Sequence, residues 1–271
     1  MTRFLLVCDH ASNHIPEELD NLGLPPSELQ RHIAWDIGAA GVTSALSEIL
    51  NAPSVFTRVS RLVIDCNRQL NAPGLIPPVS DGVVIPGNQN LSETGKADRV
   101  ARWFEPYHNA IEAVLKCRED AIFISIHSMT PVLAGVSRPW QIALSSHEDR
   151  RLTDPVLAAL RRQNEFTVGD NQPYDLDTAV DYTTPVHALR RGLLHLQVEF
   201  RQDEVATPET QRQWAQRFAQ ALLAGAAGIN CANTMPSPPP ERPANCTIDE
   251  LRPEYDLAGL LKGGIRGKYA K

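Results

Sequence analysis

The sequence lacks the features that mark several common classes of protein. It has no run of about 18 apolar residues, the length that a membrane-spanning helix requires. Its Lys and Arg residues are scattered along a chain of formal net charge -6, so no basic surface for a nucleic acid is indicated. It also contains neither a Gly-x-Ser-x-Gly motif nor a glycine-rich phosphate loop. We therefore expect no membrane or nucleic-acid partner, and a small molecule is the favoured ligand.

Cysteine is scarce as well. The 5 cysteines lie far apart and include no C-x-x-C pair, so we expect neither a disulfide framework nor a cysteine zinc site. Cys8 and Cys66 fall within predicted apolar strands, which argues against a catalytic thiol. The first residues carry one basic side chain and an apolar run too short for a secretory signal. We therefore expect a soluble protein of the reducing cytoplasm.

Short apolar runs alternate along the chain with longer segments of helical period. This pattern predicts the α/β class, with a mostly parallel central sheet covered by helices on both faces. A hydrophobic content of 42% in 271 residues can fill one sizeable core. The predicted strands are 4–8, 54–57, 62–65, 121–126, 140–144 and 193–200. The predicted helices are 36–50, 93–118, 149–162, 184–191 and 208–227.

The alternating pattern ends near residue 230, so we expect residues 1–230 to form one catalytic domain. The run Met-Pro-Ser-Pro-Pro-Pro-Glu-Arg-Pro that begins at Met235 is typical of extended polyproline. Residues 231–271 are therefore predicted to be a Pro-rich linker and a C-terminal tail. Inside the domain, segment 71–90 contains Pro and Gly repeatedly without a sustained period, which predicts a long surface loop near the site.

Two histidines follow or end predicted strands at the carboxyl edge, where α/β sheets place their ligands. His10 lies two residues after strand 4–8, and His127 follows the last residue of strand 121–126. Either one alone would be read as a loop histidine satisfied by backbone groups. Two of them at two strand ends favour a metal site, because neutral imidazole is a preferred ligand of zinc.

A catalytic zinc site usually takes three protein ligands, so a third ligand is needed. The nearby candidates are Asp36, Asn13, Asp9 and Glu17. Carboxylates bind zinc better than a neutral amide does, and we favour Asp36. The alternative role of Asp36 is equally open, because aspartate at the start of helix 36–50 would be a typical N-cap.

Strand 193–200 alternates between an apolar face and a polar face. His195, Gln197 and Glu199 share the polar face, whereas a central parallel strand normally has apolar residues on both faces. We expect the carboxyl end of this strand to open into a cleft with Glu199 as a general base. The alternative is an edge strand with one solvated face. Zinc lowers the pKa of the water it binds toward about 7, and Glu199 could pass that proton to a leaving nitrogen.

An arginine-rich block, Arg61-Leu-Val-Ile-Asp-Cys-Asn-Arg68, lies between the two histidine turns. The planar fork of Arg68 can hold a carboxylate through two parallel, charge-assisted hydrogen bonds. Arg61 and Asn67 are placed to contribute to the same binding region. The alternative is that these arginines pair with Asp65 or another acid of the protein. The clustering beside a long Pro/Gly loop favours the binding of an anionic substrate.

The order of these residues resembles the N-formylglutamate amidohydrolase family. The resemblance rests on Cys8-Asp-His-Ala-Ser-Asn13, on the Arg61 to Arg68 block and on Ile126-His-Ser128, within roughly residues 3 to 225. It implies a three-layer α/β/α zinc hydrolase of the phosphorylase/hydrolase-like type, related to zinc carboxypeptidases and peptidoglycan amidases. The implied reaction cleaves a small anionic N-formyl or N-acyl amino acid, such as N-formylglutamate, to the amino acid and formate.

The resemblance also implies roles for individual residues. It makes His10 and His127 zinc (Zn²⁺) ligands, Arg68 the partner of a substrate carboxylate and Glu199 the base. The amidase relatives place an acidic ligand at the start of the following helix, which supports Asp36. We expect the metal ligands and the base to be surrounded by Asn13, Asp65 and Ser128.

Three alternatives stay open at this point. Ligands of these types accept several divalent ions besides zinc. A zinc amidase or carboxypeptidase acting on a peptide or a cell-wall fragment would use the same metal and base. A non-catalytic binding protein could retain the site.

Overall fold

The computed structural model describes residues 3–232, and a six-stranded sheet forms its centre. Within these residues the strands are β1 (Phe4–Cys8), β2 (Ser54–Phe56), β3 (Val79–Ser80), β4 (Val83–Val84), β5 (Ile122–Met129), β6 (Val132–Leu133), β7 (Val136–Ser137), β8 (Ile142–Ser145), β9 (Val168–Asp170) and β10 (His195–Arg201). The order in the sheet is β2-β1-β5-β10-β8-β9, while β3–β4 and β6–β7 form two separate hairpins. The pair β10 and β8 is antiparallel, and the other neighbours are parallel. The predicted α/β class is therefore confirmed.

Helices cover both faces of the sheet. Within the described residues they are α1 (Ala39–Leu50), α2 (Glu93–Arg99), α3 (Glu105–Lys116), α4 (Thr153–Gln163), α5 (Thr183–His187) and α6 (Pro208–Ala232). A π-helical turn, Val100–Phe104, joins α2 to α3, so the predicted helix 93–118 is nearly continuous. The predicted helix 36–50 begins three residues late, because Gly38 at φ 84 takes a left-handed conformation before α1.

Two hydrophobic cores lie on opposite sides of the sheet. On β1 the side chains alternate between them, with Phe4 and Leu6 in one core and Leu5 and Val7 in the other. The first core packs against α1, α4 and α6, and the second packs against α3 and the chain around residues 59–64. The result is the three-layer α/β/α arrangement that was expected.

The predicted strand 62–65 is wrong. Leu62, Val63 and Ile64 are buried, but they form a turn in which the backbone N–H of Val63 donates to Ser60 O and that of Asp65 donates to Leu75 O. A short apolar run can be buried without pairing into a sheet, and the sequence pattern does not separate the two cases. The predicted loop 71–90 contains the β3–β4 hairpin and one 3-10 turn, Pro86–Asn88.

The described residues bear on three other expectations, which concern the cysteines, a membrane-spanning helix and the C-terminal tail. Cys8 and Cys66 are buried free thiols, whereas Cys117 is disulfide-bonded, a single bond that the spacing of the cysteines did not predict. No helix within residues 3–232 is long and apolar enough to cross a membrane. The predicted tail, apart from its first two residues at the end of α6, lies outside the described residues, and the cytoplasmic location stays a prediction.

Candidate metal centre and its cavity

A cavity of about 330 Å³ opens at the carboxyl ends of three neighbouring parallel strands. His10 follows β1, His127 lies on β5 and Glu199 lies on β10. Glu199 is directly opposite His127 in the register of β5 and β10, so both side chains stand on the same face of the sheet. All three residues line the cavity together with Asp36. The fold therefore gathers at one point residues that are up to 189 positions apart in the chain.

The side chains of His10, Asp36 and His127 converge at the base of this cavity. One atom from each of the three lies within 4.8 Å of the other two. His10 Nδ1 is 3.2 Å and His127 Nδ1 is 2.9 Å from the same oxygen, Asp36 Oδ2. Two imidazole nitrogens and one carboxylate oxygen form the three-ligand set that catalytic zinc commonly takes, with a fourth position left for water.

Each imidazole is held from behind by a second carboxylate. His10 Nε2 lies 2.7 Å from Asp65 Oδ1, and His127 Nε2 lies 3.2 Å from Asp9 Oδ2. These contacts orient both rings in the way that carboxylates commonly orient metal-binding histidines. A neutral ring whose Nε2 proton faces Asp65 or Asp9 would present its Nδ1 lone pair to the point near Asp36.

The charged groups around His10, Asp36 and His127 favour a cation between these side chains. A neutral imidazole that donates through Nε2 would turn its Nδ1 lone pair toward the Asp36 carboxylate, which is repulsive unless a proton or a metal ion lies between. Burial and Arg61 would lower the pKa of His10, yet the carboxylates of Asp65 and Asp36 raise it above its usual value. Burial would likewise lower the pKa of His127, but hydrogen bonds to Asp36 and Asp9 raise it. The site attracts positive charge, as a metal centre does.

Asp36 lies in this cluster with the two histidines and does not cap α1. Its backbone N–H donates to His10 O, which fixes the residue beside the first histidine. Its Oδ1 accepts from Arg61 at 3.3 Å, and its Oδ2 accepts from the backbone N–H of Ser128 at 3.3 Å. Helix α1 begins after Gly38 without a side-chain cap. The N-cap alternative is therefore wrong.

The other candidates for the third ligand have different positions. Asp9 stands behind His127, and the Asn13 amide donates to Leu29 O at 2.9 Å, away from the cavity. Glu17 is exposed in a 3-10 turn. Ser128 lines the cavity, and its hydroxyl donates to Ile37 O at 2.8 Å, which ties β5 to the chain beside Asp36.

Asp9 is the centre of a buried hydrogen-bond network that the sequence did not reveal. Its Oδ1 accepts from the hydroxyls of Tyr107 at 2.8 Å and Thr183 at 2.6 Å, and its Oδ2 accepts from Ser125 at 3.0 Å. Burial alone would raise the pKa of Asp9, but the hydrogen bond to His127 is the first of several contacts that lower it below its usual value. Ser125 could have been found, because it lies two residues before His127 on the same face of a strand.

Glu199 lies on a central strand, between β5 and β8, so the edge-strand alternative is wrong. Its side chain is buried at the wall of the cavity with 5% of its surface exposed. Burial raises the pKa of Glu199 to about 7, against the opposing attraction of His127. A carboxyl group with this pKa can both accept and release a proton near neutral pH.

The arginine block lines the cavity, and its side chains are already paired within the protein. Arg61 donates to Asp65 Oδ2 through Nε at 3.1 Å and Nη2 at 2.7 Å. Arg68 donates to Asp181 Oδ1 at 2.9 Å. The side-chain oxygen of Asn67 accepts from the backbone N–H groups at 182 and 183, which fixes the chain before α5 to this block.

Two further polar residues of the cavity were not expected from the sequence. Arg138, just after β7, and Gln197, on β10, both line the cavity and are at least nine-tenths buried. Gln197 could have been chosen, because it shares the polar face of β10 with Glu199. Arg138 carries no local signal, since it follows a hairpin whose path over the sheet is set by the tertiary structure.

Comparison with known proteins gives the family and the fold of the chain. The family model of N-formylglutamate amidohydrolase matches residues 2–206. The crystal structure of gene product Atu2144 from Agrobacterium tumefaciens has a TM-score of 0.82 and 35% sequence identity, covering 84% of this chain and 92% of that one. N-formylglutamate amidohydrolase from Ralstonia eutropha JMP134 has a TM-score of 0.60 and 16% identity, over 85% and 95% of the two chains, which shows a shared fold. No curated protein matches this chain.

Proposed function

Because the chain belongs to the N-formylglutamate amidohydrolase family and is therefore a hydrolase that acts on amide bonds, we propose that it hydrolyses an N-formyl or N-acyl amino acid such as N-formyl-L-glutamate. The products are formate, or the corresponding acid, and the free amino acid. The observation that carries the proposal is the convergence of His10, Asp36 and His127 within 4.8 Å beside Glu199. A cavity of about 330 Å³ has the size of a small-molecule site.

We propose that His10, Asp36 and His127 hold a divalent metal ion, with zinc as the first choice. When bound, zinc supplies a Lewis acid for the scissile carbonyl and lowers the pKa of water. Through their contacts with Nε2, Asp65 and Asp9 would orient the two imidazoles that hold such an ion. Two imidazoles and a carboxylate also suit other divalent ions, so the metal must be identified by measurement.

Glu199 is proposed as the general base and acid. It takes a proton from the water that attacks the carbonyl carbon, and it gives that proton to the leaving nitrogen when the C–N bond breaks. The burial that raises its pKa to about 7 matches this double role at neutral pH. Loss of such a group typically costs about 10² to 10⁴ in rate.

The arginine block is proposed to contact the substrate. Arg68 and Asn67 line the cavity and are placed to hold a carboxylate of the amino acid. Arg61 lines the same cavity and at the same time holds Asp36 and Asp65 in position. An N-acyl amino acid is anionic at neutral pH, which agrees with the guanidinium groups on this wall.

The test is formate release from N-formyl-L-glutamate and a panel of other N-formyl amino acids. Purified protein is assayed with zinc, after chelation and after zinc is added back, with His127→Ala as the inactive control. Zinc-dependent release from the wild type and none from the variant would support the proposal. No release of formate from any of these compounds by zinc-loaded protein would refute the deformylase activity.

A further inference from the structure

Arg138 differs from the other arginines of the cavity because it has no carboxylate partner in the part of the chain that the structure describes. Arg61 pairs with Asp36 and Asp65, and Arg68 pairs with Asp181. Within the described residues 3–232, the guanidinium of Arg138 donates only to oxygens that carry no charge. These are Thr130 O at 3.4 Å and the Tyr174 hydroxyl at 2.5 Å. Two of the three guanidinium charges that line the cavity are therefore neutralised by the protein, and the third is not.

The lack of a carboxylate partner is unusual for Arg138 because this residue is buried, with 7% of its surface exposed. A guanidinium keeps its charge at any ordinary pH, and a buried charge is costly unless another group compensates it. Arg99 is a useful comparison within the same protein, since it is 3% exposed and pairs with no carboxylate of residues 3–232. Three amide oxygens, from Val63, Asn88 and Gly87, accept from Arg99, and it does not line the cavity. Arg99 thus has a structural role, in which it connects three segments of the chain. Arg138 instead lines the cavity, where its guanidinium can donate further hydrogen bonds.

The side chain of Arg138 is held in place before any ligand arrives. Its guanidinium lies over the Tyr174 ring, 4.9 Å from the ring centroid. Tyr174 is in turn fixed through its backbone oxygen, which accepts from the hydroxyl of Ser145 at 2.8 Å. The backbone oxygen of Arg138 accepts from Arg201 at 3.1 Å. A fork that is fixed in this way loses little conformational entropy when it binds a planar anion.

A second unmatched group lies in the same cavity. Gln197 is 5% exposed, and no group in the described part of the chain donates a hydrogen bond to its Oε1. A buried acceptor without a donor is rare and costs free energy, unless a ligand supplies the donor. The cavity therefore presents one cation that needs an anion and one acceptor that needs an N–H group. An N-acyl amino acid contains both, as a carboxylate and an amide N–H.

We propose that Arg138 binds a carboxylate group of the substrate and so determines the preference for an anionic N-acyl amino acid. This inference rests on the proposed function for the identity of the substrate. It assigns to Arg138 a cationic contact in addition to that of Arg68, on a different segment of the cavity wall. The carboxylate has two sources in an N-acyl glutamate, the α-carboxylate and the side-chain carboxylate.

The first experiment measures kcat and KM of the zinc-loaded enzyme with three substrates. These are N-formyl-L-glutamate, N-formyl-L-glutamine and the α-amide of N-formyl-L-glutamate. We expect Arg138→Ala to raise KM about 10- to 100-fold for the substrate whose carboxylate it binds, with kcat changed less than about threefold. Arg138→Lys should fall between the wild type and the alanine variant, because it keeps the charge and loses the fork.

The three substrates distinguish the two carboxylates. If Arg138→Ala raises KM for N-formylglutamate and N-formylglutamine, but not for the α-amide, Arg138 binds the α-carboxylate. If the variant raises KM for N-formylglutamate and its α-amide, but not for N-formylglutamine, Arg138 binds the side-chain carboxylate. Arg58→Ala is the matched control, because it removes the same charge from an exposed position outside the cavity. An unchanged KM for all three substrates in Arg138→Ala would overturn the proposal.

Binding measured by calorimetry separates this inference from the proposed function. The probe is L-glutamate, the expected product, added to zinc-loaded wild type and to the Arg138 variants. If no N-formyl compound is hydrolysed, the proposed function fails. The role of Arg138 in binding a carboxylate is still supported if glutamate binds at least about 10-fold more weakly to Arg138→Ala than to the wild type. If glutamate binds equally to the wild type and to Arg138→Ala, the inference about Arg138 fails. Should Arg138→Ala not fold, Arg138→Lys and Arg138→Gln undergo the same comparison.

Discussion

Replacing Glu199 with glutamine should stabilise the metal-free protein while it removes activity. The side chain is 5% exposed, and burial raises the pKa of the carboxyl from 4.5 to about 7. The ionised form that catalysis needs is therefore the form that the folded protein disfavours. Glutamine has the same shape and no charge, so the variant avoids the cost of burying a carboxylate.

The size of the effect follows from the pKa shift. A rise from 4.5 to about 7 corresponds to about 3 kcal/mol, since one pKa unit is worth about 1.4 kcal/mol. Between these two values the folded state binds the proton and the unfolded chain releases it. The free energy of unfolding of the wild type therefore falls as the pH rises through this range, and it stays low above about pH 7. We expect Glu199→Gln to be more stable than the wild type by about 3 kcal/mol at pH 8, but by less than about 1 kcal/mol at pH 5.

The assay is urea unfolding of chelator-treated protein at both pH values, followed by circular dichroism. Glu148→Gln is the matched control, because Glu148 is exposed and its change should stay within about 0.5 kcal/mol at both pH values. Formate release by zinc-loaded Glu199→Gln should fall by about 10² to 10⁴. A stability gain that is equal at pH 5 and pH 8, or absent at pH 8, would refute the reasoning from burial. Retained turnover would refute the role of Glu199 as the base.

Three further predictions concern the metal centre and the core. Asp36→Asn should lose most of its bound zinc, as measured by atomic absorption, while Asn13→Ala keeps the full amount; the reverse result would remove Asp36 from the ligand set. Asp65→Asn and Asp9→Asn should each weaken zinc binding by about 10- to 100-fold in competition with a chelator, because each carboxylate orients one imidazole. Phe218→Ala should lower the free energy of unfolding by about 3 to 5 kcal/mol, since Phe218 is fully buried in the core below α6, and zinc affinity should not change.

The sequence predicts the parts of this site that depend on local pattern. The run that ends in Cys8 predicts β1 with its observed bounds, and the alternation before Glu199 predicts a strand with one polar face. These signals work because side chains of a strand alternate between its two faces whatever the rest of the fold. His10 and His127 stand out for the same reason, since both occur where an apolar strand gives way to polar residues.

The sequence does not predict the contacts that depend on how segments meet. The pairing of His10 with Asp65, and of His127 with Asp9, depends on the path of the chain between residues 57 and 68 and on the order of the strands. The apolar run that includes Leu62 has the composition of a strand, but it is buried as a turn because it packs under the second core. Arg138 reaches the cavity from a hairpin, and no periodicity in the sequence records where a hairpin folds back.

The two carboxylates that hold the histidines are crossed with respect to the chain. Asp9 supports His127, whereas its own neighbour His10 is supported by Asp65. The two residues that follow β1 are thus one proposed ligand, His10, and the carboxylate that supports the other, Asp9. A displacement of this short segment would therefore act on both imidazoles, on that of His10 through its own backbone and on that of His127 through the contact of Asp9 with Nε2.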